Sequence, residues 1–174
     1  MLGVTFDFLL SFDTHISTLC KKVARQINVL RRIGRYMPIS CRKVIYTSFI
    51  QSNFNFCPVI WHFCSEANNK KLEKLNYRGL RHVYQDYESS YEALLSKDQS
   101  VSLNLMRQRQ IAEEVYKILN KQSLSYLFDL FSNRDTGHNL RGGNLKLPHC
   151  RTVAYGKKVS VTMVLVCGIS FHSV

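Results

Sequence analysis

Acidic residues are scarce in this chain of 174 residues, and two long stretches have none. The chain holds 12 Asp and Glu against 24 Lys and Arg, which gives a formal net charge of +12. No Asp or Glu occurs between Asp13 and Glu66, or after Asp135. Basic stretches without nearby acids repel themselves unless something negative lies against them. The pattern predicts a polyanionic partner, with nucleic acid first and an anionic membrane surface second.

Several kinds of functional site are also missing from the sequence. It has no pair of adjacent aspartates, no G-x-S-x-G sequence, no Walker-type loop and no dinucleotide-binding fingerprint. Asp7 and Asp13 are interpreted as a strand end and a helix cap rather than as a catalytic pair of carboxylates. The six histidines are dispersed along the chain. We therefore expect no catalytic residue, no bound metal and no cofactor.

The cysteines and the apolar runs give no sign of a disulfide framework or a membrane span. Six cysteines are scattered without paired spacing, which fits a reduced intracellular setting, nuclear or cytoplasmic. Cys57, His62 and Cys64 form the nearest metal-like group, but a fourth ligand is lacking and a packing role is favoured over zinc. The run over 159–166 is interrupted by polar residues and is far shorter than the roughly 20 residues of a spanning helix.

The spacing of apolar residues predicts a mainly α fold. Residues 2–7 are rich in β formers and predict a short N-terminal strand without a visible hairpin partner. From Asp13 to Ile33 apolar residues recur every three or four positions, and Gly34 and Pro38 end this first helix. Further helices are predicted from about Ser40, from Pro58, over 66–84, after the capping pattern Ser89-Ser90-Tyr91-Glu92, over 102–120 and over 124–131.

Two of these helices carry specific expectations about burial. The helix from Ser40 is expected to bury Val44, Ile45, Tyr46 and Phe49. Trp61 lies in the most aromatic segment and is expected to fill the core. After residue 133 the composition changes to Gly, Asn, His and basic residues, which predicts an irregular C-terminal tail.

A series of short sequence phrases runs along the chain in a fixed order. The phrases are Leu2-Gly3-Val4, Phe49-Ile50-Gln51-Ser52, Cys57-Pro58 with Trp61, Leu72-Glu73-Lys74-Leu75-Asn76-Tyr77-Arg78, Ser89-Ser90-Tyr91-Glu92-Ala93-Leu94-Leu95, Tyr116-Lys117-Ile118-Leu119-Asn120 and Tyr155-Gly156-Lys157-Lys158. In their order and spacing they resemble the region after the palm domain in Jockey-type reverse transcriptases of non-LTR retrotransposons.

The resemblance implies a division of the chain into four parts. Residues 1–12 would be the end of a palm-like segment, and residues 13–133 a helical, thumb-like bundle with the connection that follows it. Residues 134–158 would be a basic, loop-rich tail of the family. Residues 159–174 depart from the family pattern and are interpreted as an unrelated or frame-shifted end.

The resemblance also implies a function for the basic helices. A reverse transcriptase holds two catalytic metal ions with carboxylates that include an adjacent Asp pair, and this chain has no such pair. The chain is therefore expected to be a polymerase fragment that is inactive alone. In the family, the thumb grips a template–primer duplex through its sugar–phosphate backbone. The candidate contacts are Lys21, Lys22, Arg25, Arg31, Arg32, Arg35, Arg42, Lys43, Lys74, Arg78 and Arg81.

Several alternatives stay open at the level of sequence. The group from Lys70 to Arg81 has Glu66 and Glu73 nearby, so an ordinary solvated helix face is an equally good interpretation of it. Tyr36 is the aromatic residue to test for base stacking.

The chain could instead be a helical protein-interaction module, whose exposed apolar stripes bind a separate palm domain or another protein. It could also be a translated relic without a selected role.

Overall fold

The computed structural model describes residues 3–9 and 11–122, and these residues are mainly helical. The helices are α1 (Asp13–Ile33), α2 (Ile39–Ile45), α3 (Ser52–Phe54), α4 (Pro58–Trp61), α5 (Glu66–Tyr84), α6 (Tyr91–Asp98) and α7 (Leu103–Leu119). A 3-10 turn, Gly34–Tyr36, follows α1, and a π-helical turn, Tyr46–Gln51, joins α2 to α3. The prediction of a mainly α fold is confirmed. The helix predicted over 124–131, the basic tail and the divergent end lie outside the described residues.

The chain divides into two compact units, of which the first, Met1–Arg107, holds the candidate site. The second unit begins at Gln108, and its described part is the rest of α7 and the turn that ends it. In that turn Gln122 N donates to the Lys117 carbonyl at 2.8 Å. The predicted helix over 102–120 is confirmed within one residue at each end.

Helices α1 and α5 form the frame of the first unit. α1 buries Ile16, Leu19, Val23, Ile27 and Leu30, the stripe expected from their spacing of three and four. α5 buries Leu72, Leu80 and Val83 in the same way, and its bounds are those predicted from the sequence. Burial of one apolar side chain stabilises the fold by about 1.5–3 kcal/mol relative to an exposed one. These two stripes therefore supply much of the core.

Helices α1 and α5 run in the same direction, so that their C-terminal ends lie together. Three side-chain hydrogen bonds connect their beginnings, middles and ends. Asn68 Nδ2 donates to Asp13 Oδ1 at 2.6 Å, Arg78 Nη2 donates to Asn28 Oδ1 at 2.6 Å, and Gln85 Nε2 donates to the Gly34 carbonyl at 3.5 Å. Each helix places basic residues in its last turn, where cations interact favourably with the carbonyl end of the helix dipole.

A chain of polar groups connects the π-helical turn to three later helices. Tyr46 OH donates to Asn76 Oδ1, Asn76 Nδ2 donates to Tyr91 OH at 2.8 Å, and Tyr91 OH donates to Glu73 Oε2 at 2.5 Å. The Glu73 carboxylate also accepts the backbone N–H groups of Leu103 and Asn104, at 3.2 and 2.8 Å. Burial raises the pKa of the Tyr46 phenol, which keeps it a donor. The carboxylate of Glu73 therefore caps the start of α7 and does not pair with the lysines and arginines of α5.

Gly79 allows the Tyr46 ring to lie against α5. A Cβ atom at position 79 would come within 2.6 Å of Tyr46 Cε2, which no real side chain tolerates without a shift.

The only tryptophan, Trp61, is fully buried, which confirms its predicted place in the core. Its indole Nε1 donates to the Phe56 carbonyl at 2.9 Å.

The prediction of an N-terminal strand is wrong for the residues that the structure describes. Residues 3–9 form turns and irregular backbone. The Asp7 carboxylate accepts the Ser11 backbone N–H at 2.7 Å and the Ser11 hydroxyl at 2.9 Å, and this turns the chain into α1. A strand is stabilised by a ladder of backbone hydrogen bonds to a partner, and residues 3–9 make no such ladder with another described segment.

The predicted buried side of the second helix is also partly wrong. Val44 and Phe49 are 62% and 63% exposed, whereas the buried face is the row Arg42, Tyr46, Ile50 and Phe54, spaced by four. The π-helical turn over 46–51 has more residues per turn than an α-helix, so a spacing of four stays in register there. Because the row begins with the basic residue Arg42, the spacing of apolar residues in the sequence did not predict it.

Candidate nucleic-acid interface

The outward face of α1 carries a row of exposed cations. Lys21, Arg25 and Arg32 are spaced by four and seven residues, which places them on one face, opposite the buried stripe. At 1.5 Å per residue, the row extends for about 16 Å along the helix. Lys22, Arg31 and Arg35 are exposed on either side of this row. We call these six residues the α1 basic face.

The α1 basic face has no acidic partner among the described residues. The salt bridges of the described chain involve other lysines: Lys43 with Asp98, Lys70 with Glu66, Lys97 with Asp86, and Lys117 with Glu114. The structure therefore brings the six predicted α1 residues together on a surface of unbalanced positive charge.

Arg42 and Lys43, predicted to extend this surface, are placed differently. Arg42 is only 7% exposed, and its Nη1 donates to the Gly34 carbonyl at 3.5 Å. This corrects the prediction that Arg42 is an exposed contact, and the cause is the buried row of spacing four on α2. Lys43 pairs with Asp98 at 2.9 Å, and the hydrogen bond to that carboxylate raises the pKa of Lys43. The balancing acid comes from α6, 55 residues away in sequence.

The predicted contacts on α5 have three different environments. Lys74 is exposed and has no carboxylate partner in the described chain, and Glu73 is engaged with Tyr91 and α7. The guanidinium of Arg78 is committed to Asn28 of α1. That of Arg81 lies 5.3 Å and 5.2 Å from the ring centres of Tyr77 and Tyr87 and donates to the Tyr87 carbonyl at 2.8 Å. Only Lys74 resembles the α1 residues.

A cleft lies where the C-terminal ends of α1 and α5 meet, with a volume of about 480 Å³. Its walls are formed by Leu30, Arg31, Arg32, Gly34, Arg35, His82, Gln85 and Tyr87. Burial lowers the pKa of His82, and the positive charges of Arg78, Arg31 and Arg81 lower it further. The imidazole Nδ1 lies 3.0 Å from Tyr87 OH. The α1 basic face therefore ends in a concave pocket rather than on a convex helix.

Sequence reasoning did not identify His82, Gln85 and Tyr87 as site residues. They lie about 50 positions from Arg31 along the chain, and only the parallel pairing of α1 and α5 brings them together. Tyr36, the residue named for base stacking, is 83% exposed, and its ring centre lies 6.0 Å from the Arg35 guanidinium carbon. Its position agrees with an accessible stacking surface beside the cleft.

Metal-binding and membrane-spanning features are absent from the part of the chain that the structure describes. No three His, Cys, Asp or Glu side chains there converge on one point. No helix in that part is long and apolar enough to cross a bilayer. Burial raises the pKa of the Cys64 thiol, which favours its protonated form.

Comparisons with known proteins returned no relative: no family model, curated protein or solved structure matched the chain. The site is therefore interpreted from its own geometry and charge. The lysine and arginine side chains of the site offer hydrogen-bond donors to anions. Arginine and lysine side chains are donors only, and a polyphosphate strand is an acceptor along its whole length.

Proposed function

We propose that this chain binds RNA or an RNA–DNA duplex along the sugar–phosphate backbone, without reading base sequence. The observation that carries this proposal is the α1 basic face: six exposed cations without a carboxylate partner in the described chain. Arginine and lysine contacts to phosphate position a protein on a nucleic acid but carry no sequence information. Each phosphate that is neutralised releases a condensed counterion, which drives the association.

We infer further that the chain is a fragment of a retrotransposon RNA-directed DNA polymerase without its catalytic palm. The ordered sequence phrases support this origin, and the lack of an Asp-Asp pair supports the loss of catalysis. A thumb-like fragment needs only helices with exposed cations to hold a duplex. Primer extension by the fragment alone is therefore expected to yield no product.

Exposed apolar side chains favour a second candidate function, a helical protein-interaction module. Phe6, Phe8 and Leu9 are exposed beside the start of α1, and Val44 and Phe49 are exposed on the α2 segment. A separate palm domain is the partner that the resemblance suggests for these surfaces. Binding through apolar area changes little with salt, whereas phosphate binding weakens steeply, so a salt series separates the two functions.

The test of nucleic-acid binding compares two triple variants of equal net charge. Arg31→Gln, Arg32→Gln and Arg35→Gln remove three cations from the α1 basic face. Lys70→Gln, Lys97→Gln and Lys117→Gln remove three cations that are already paired with carboxylates. Filter binding of an RNA–DNA duplex is measured for both variants at several salt concentrations.

We expect the arginine variant to lose affinity and to lower the slope of log K against log salt by about 3, one unit for each lost phosphate contact. The lysine variant is expected to retain the slope of the parent chain. Equal losses in the two variants would show that only net charge matters and would refute a located interface. An unchanged slope in the arginine variant would refute the placement on α1.

A further inference from the structure

The cleft at the joined ends of α1 and α5 differs in shape and chemistry from the rest of the basic surface. Three arginines line it, from the last turn of α1 and the 3-10 turn: Arg31, Arg32 and Arg35. The opposite wall comes from the end of α5 and the turn after it, with His82, Gln85 and Tyr87. A volume of about 480 Å³ lies within the range of small-molecule sites.

From this arrangement we propose that the cleft binds a phosphate monoester dianion, the group carried by the phosphorylated end of a nucleic-acid strand or by a free mononucleotide. The proposal rests on the proposed nucleic-acid binding and adds to it a preference for a terminal phosphate over an internal phosphodiester. Lys21, Lys22 and Arg25 of the α1 basic face then follow the strand, and Arg31, Arg32 and Arg35 hold its end.

The charge balance of the cleft supports a dianion. The C-terminal end of a helix carries the equivalent of about half a negative charge, so the two helix ends together offset about one of the three guanidinium charges. The Gly34 carbonyl at the end of α1 already accepts from the buried Arg42 and from Gln85, which reduces that offset. The surplus is therefore at least about two positive charges, which favours a monoester that carries about −1.5 to −2 at pH 7. An internal diester supplies only one negative charge.

The cleft walls are held in place without using the three arginines. Tyr87 is fixed by Arg81, which donates to its carbonyl at 2.8 Å, and by His82, whose Nδ1 lies 3.0 Å from its hydroxyl. Gln85 is placed by its bond to Gly34. The side chains of Arg31, Arg32 and Arg35 make no hydrogen bond to another described residue, so their guanidinium donors are available to a ligand. Arginine is suited to this ligand, because its planar fork donates to two phosphate oxygens at once.

His82 provides a reporter that is separate from affinity. Its imidazole faces the charges of Arg78, Arg31 and Arg81, which together with burial lower its pKa. A dianion in the cleft would offset those charges and raise the pKa of His82. A mononucleotide added at pH 7.5 should therefore shift the imidazole resonances of His82 and raise the pH at which they titrate.

The test uses one RNA oligonucleotide of twelve residues, prepared with a 5′-phosphate and with a 5′-hydroxyl. The full chain is expected to bind the phosphorylated form about tenfold more tightly at pH 7.5 and moderate salt. Arg31→Gln with Arg35→Gln should abolish this ratio. Lys21→Gln with Arg25→Gln removes the same charge from the far part of α1, and should weaken both oligonucleotides while retaining the ratio.

Adenosine monophosphate and adenosine form the second arm of the test. If the monophosphate shifts His82 and adenosine does not, a free nucleotide is itself a ligand of the cleft. If only the phosphorylated oligonucleotide shifts His82, the strand end is the ligand. Equal affinity for the two oligonucleotides in the parent chain, or a ratio that survives the Arg31 and Arg35 substitutions, would overturn the cleft proposal. Steep salt dependence with the 5′-hydroxyl oligonucleotide would still support the proposed function, so the two can fail separately.

Discussion

Raising the salt concentration from about 50 to about 200 mM is expected to weaken the binding of an RNA–DNA duplex by roughly 10³-fold. This figure applies to a duplex without terminal phosphates, on which each of the six exposed cations of the α1 basic face neutralises one phosphate. A contact of this kind changes the slope of log K against log salt by about 0.9, so six contacts give a slope near −5.

Fluorescence anisotropy with a labelled duplex measures this slope directly. The buffer and its concentration are the same at every salt concentration. A duplex of unrelated sequence is the matched control, and we expect the same slope and the same affinity with it, because backbone contacts carry no sequence information. A slope near zero would favour the protein-interaction module. A strong preference for one sequence would contradict the backbone mode of binding.

Replacing Trp61 with Ala is expected to lower the free energy of unfolding by about 3–5 kcal/mol. The side chain is fully buried, and it is among the largest groups in the core of the first unit. Its loss would leave a cavity and an unpaired Phe56 carbonyl, which now accepts the indole N–H at 2.9 Å. The guanidinium of Arg107, itself only 1% exposed and 5.0 Å from the ring centre, would also lose its aromatic neighbour.

Urea unfolding followed by far-UV circular dichroism measures this loss, since the variant has no tryptophan left for fluorescence. Tyr36→Ala is the control, because this aromatic side chain is exposed and its loss should leave unfolding nearly unchanged. A Trp61→Ala variant as stable as the parent would contradict the packing of α4 against the core. A parent chain without a cooperative transition would favour the interpretation of the protein as a relic.

The sequence was sufficient to predict the long helices of the first unit, because their signals are local. The apolar stripe of α1 from Ile16 to Leu30 repeats over four turns, and Gly34 follows its last residue. Pro58 begins α4, as its fixed φ favours. Ser90, within the predicted capping pattern, accepts the Ala93 N–H at 3.2 Å at the start of α6. Such features depend on residues within one or two turns of each other.

Features that depend on distant residues could not be predicted in the same way. Arg42 belongs to a buried row because the π-helical turn changes the spacing after it, and its charge made it resemble a surface residue. Glu73 lies within the group of cations from Lys70 to Arg81 in the sequence, yet it caps α7 through Leu103 and Asn104. Each outcome is decided by helices that meet only in the folded chain.

The candidate site shows the same division. The charges of α1 and their lack of a nearby acid are visible in the sequence, and the structure keeps those six residues exposed. The cleft is not visible in the sequence, because Tyr87 and His82 reach Arg31 only through the parallel arrangement of α1 and α5. A charged helix is predicted by the spacing of its own residues, whereas a cleft wall supplied by a second helix is not.

Lysine footprinting tests the central claim, that the α1 basic face is where nucleic acid binds, most directly. The chain is acetylated briefly with and without a saturating RNA–DNA duplex, and the modification of each lysine is quantified by mass spectrometry. We expect the duplex to protect Lys21 and Lys22, while Lys70 and Lys97, which are paired with carboxylates, are modified equally in both samples. Equal modification of Lys21 and Lys22 with and without bound duplex would contradict the account.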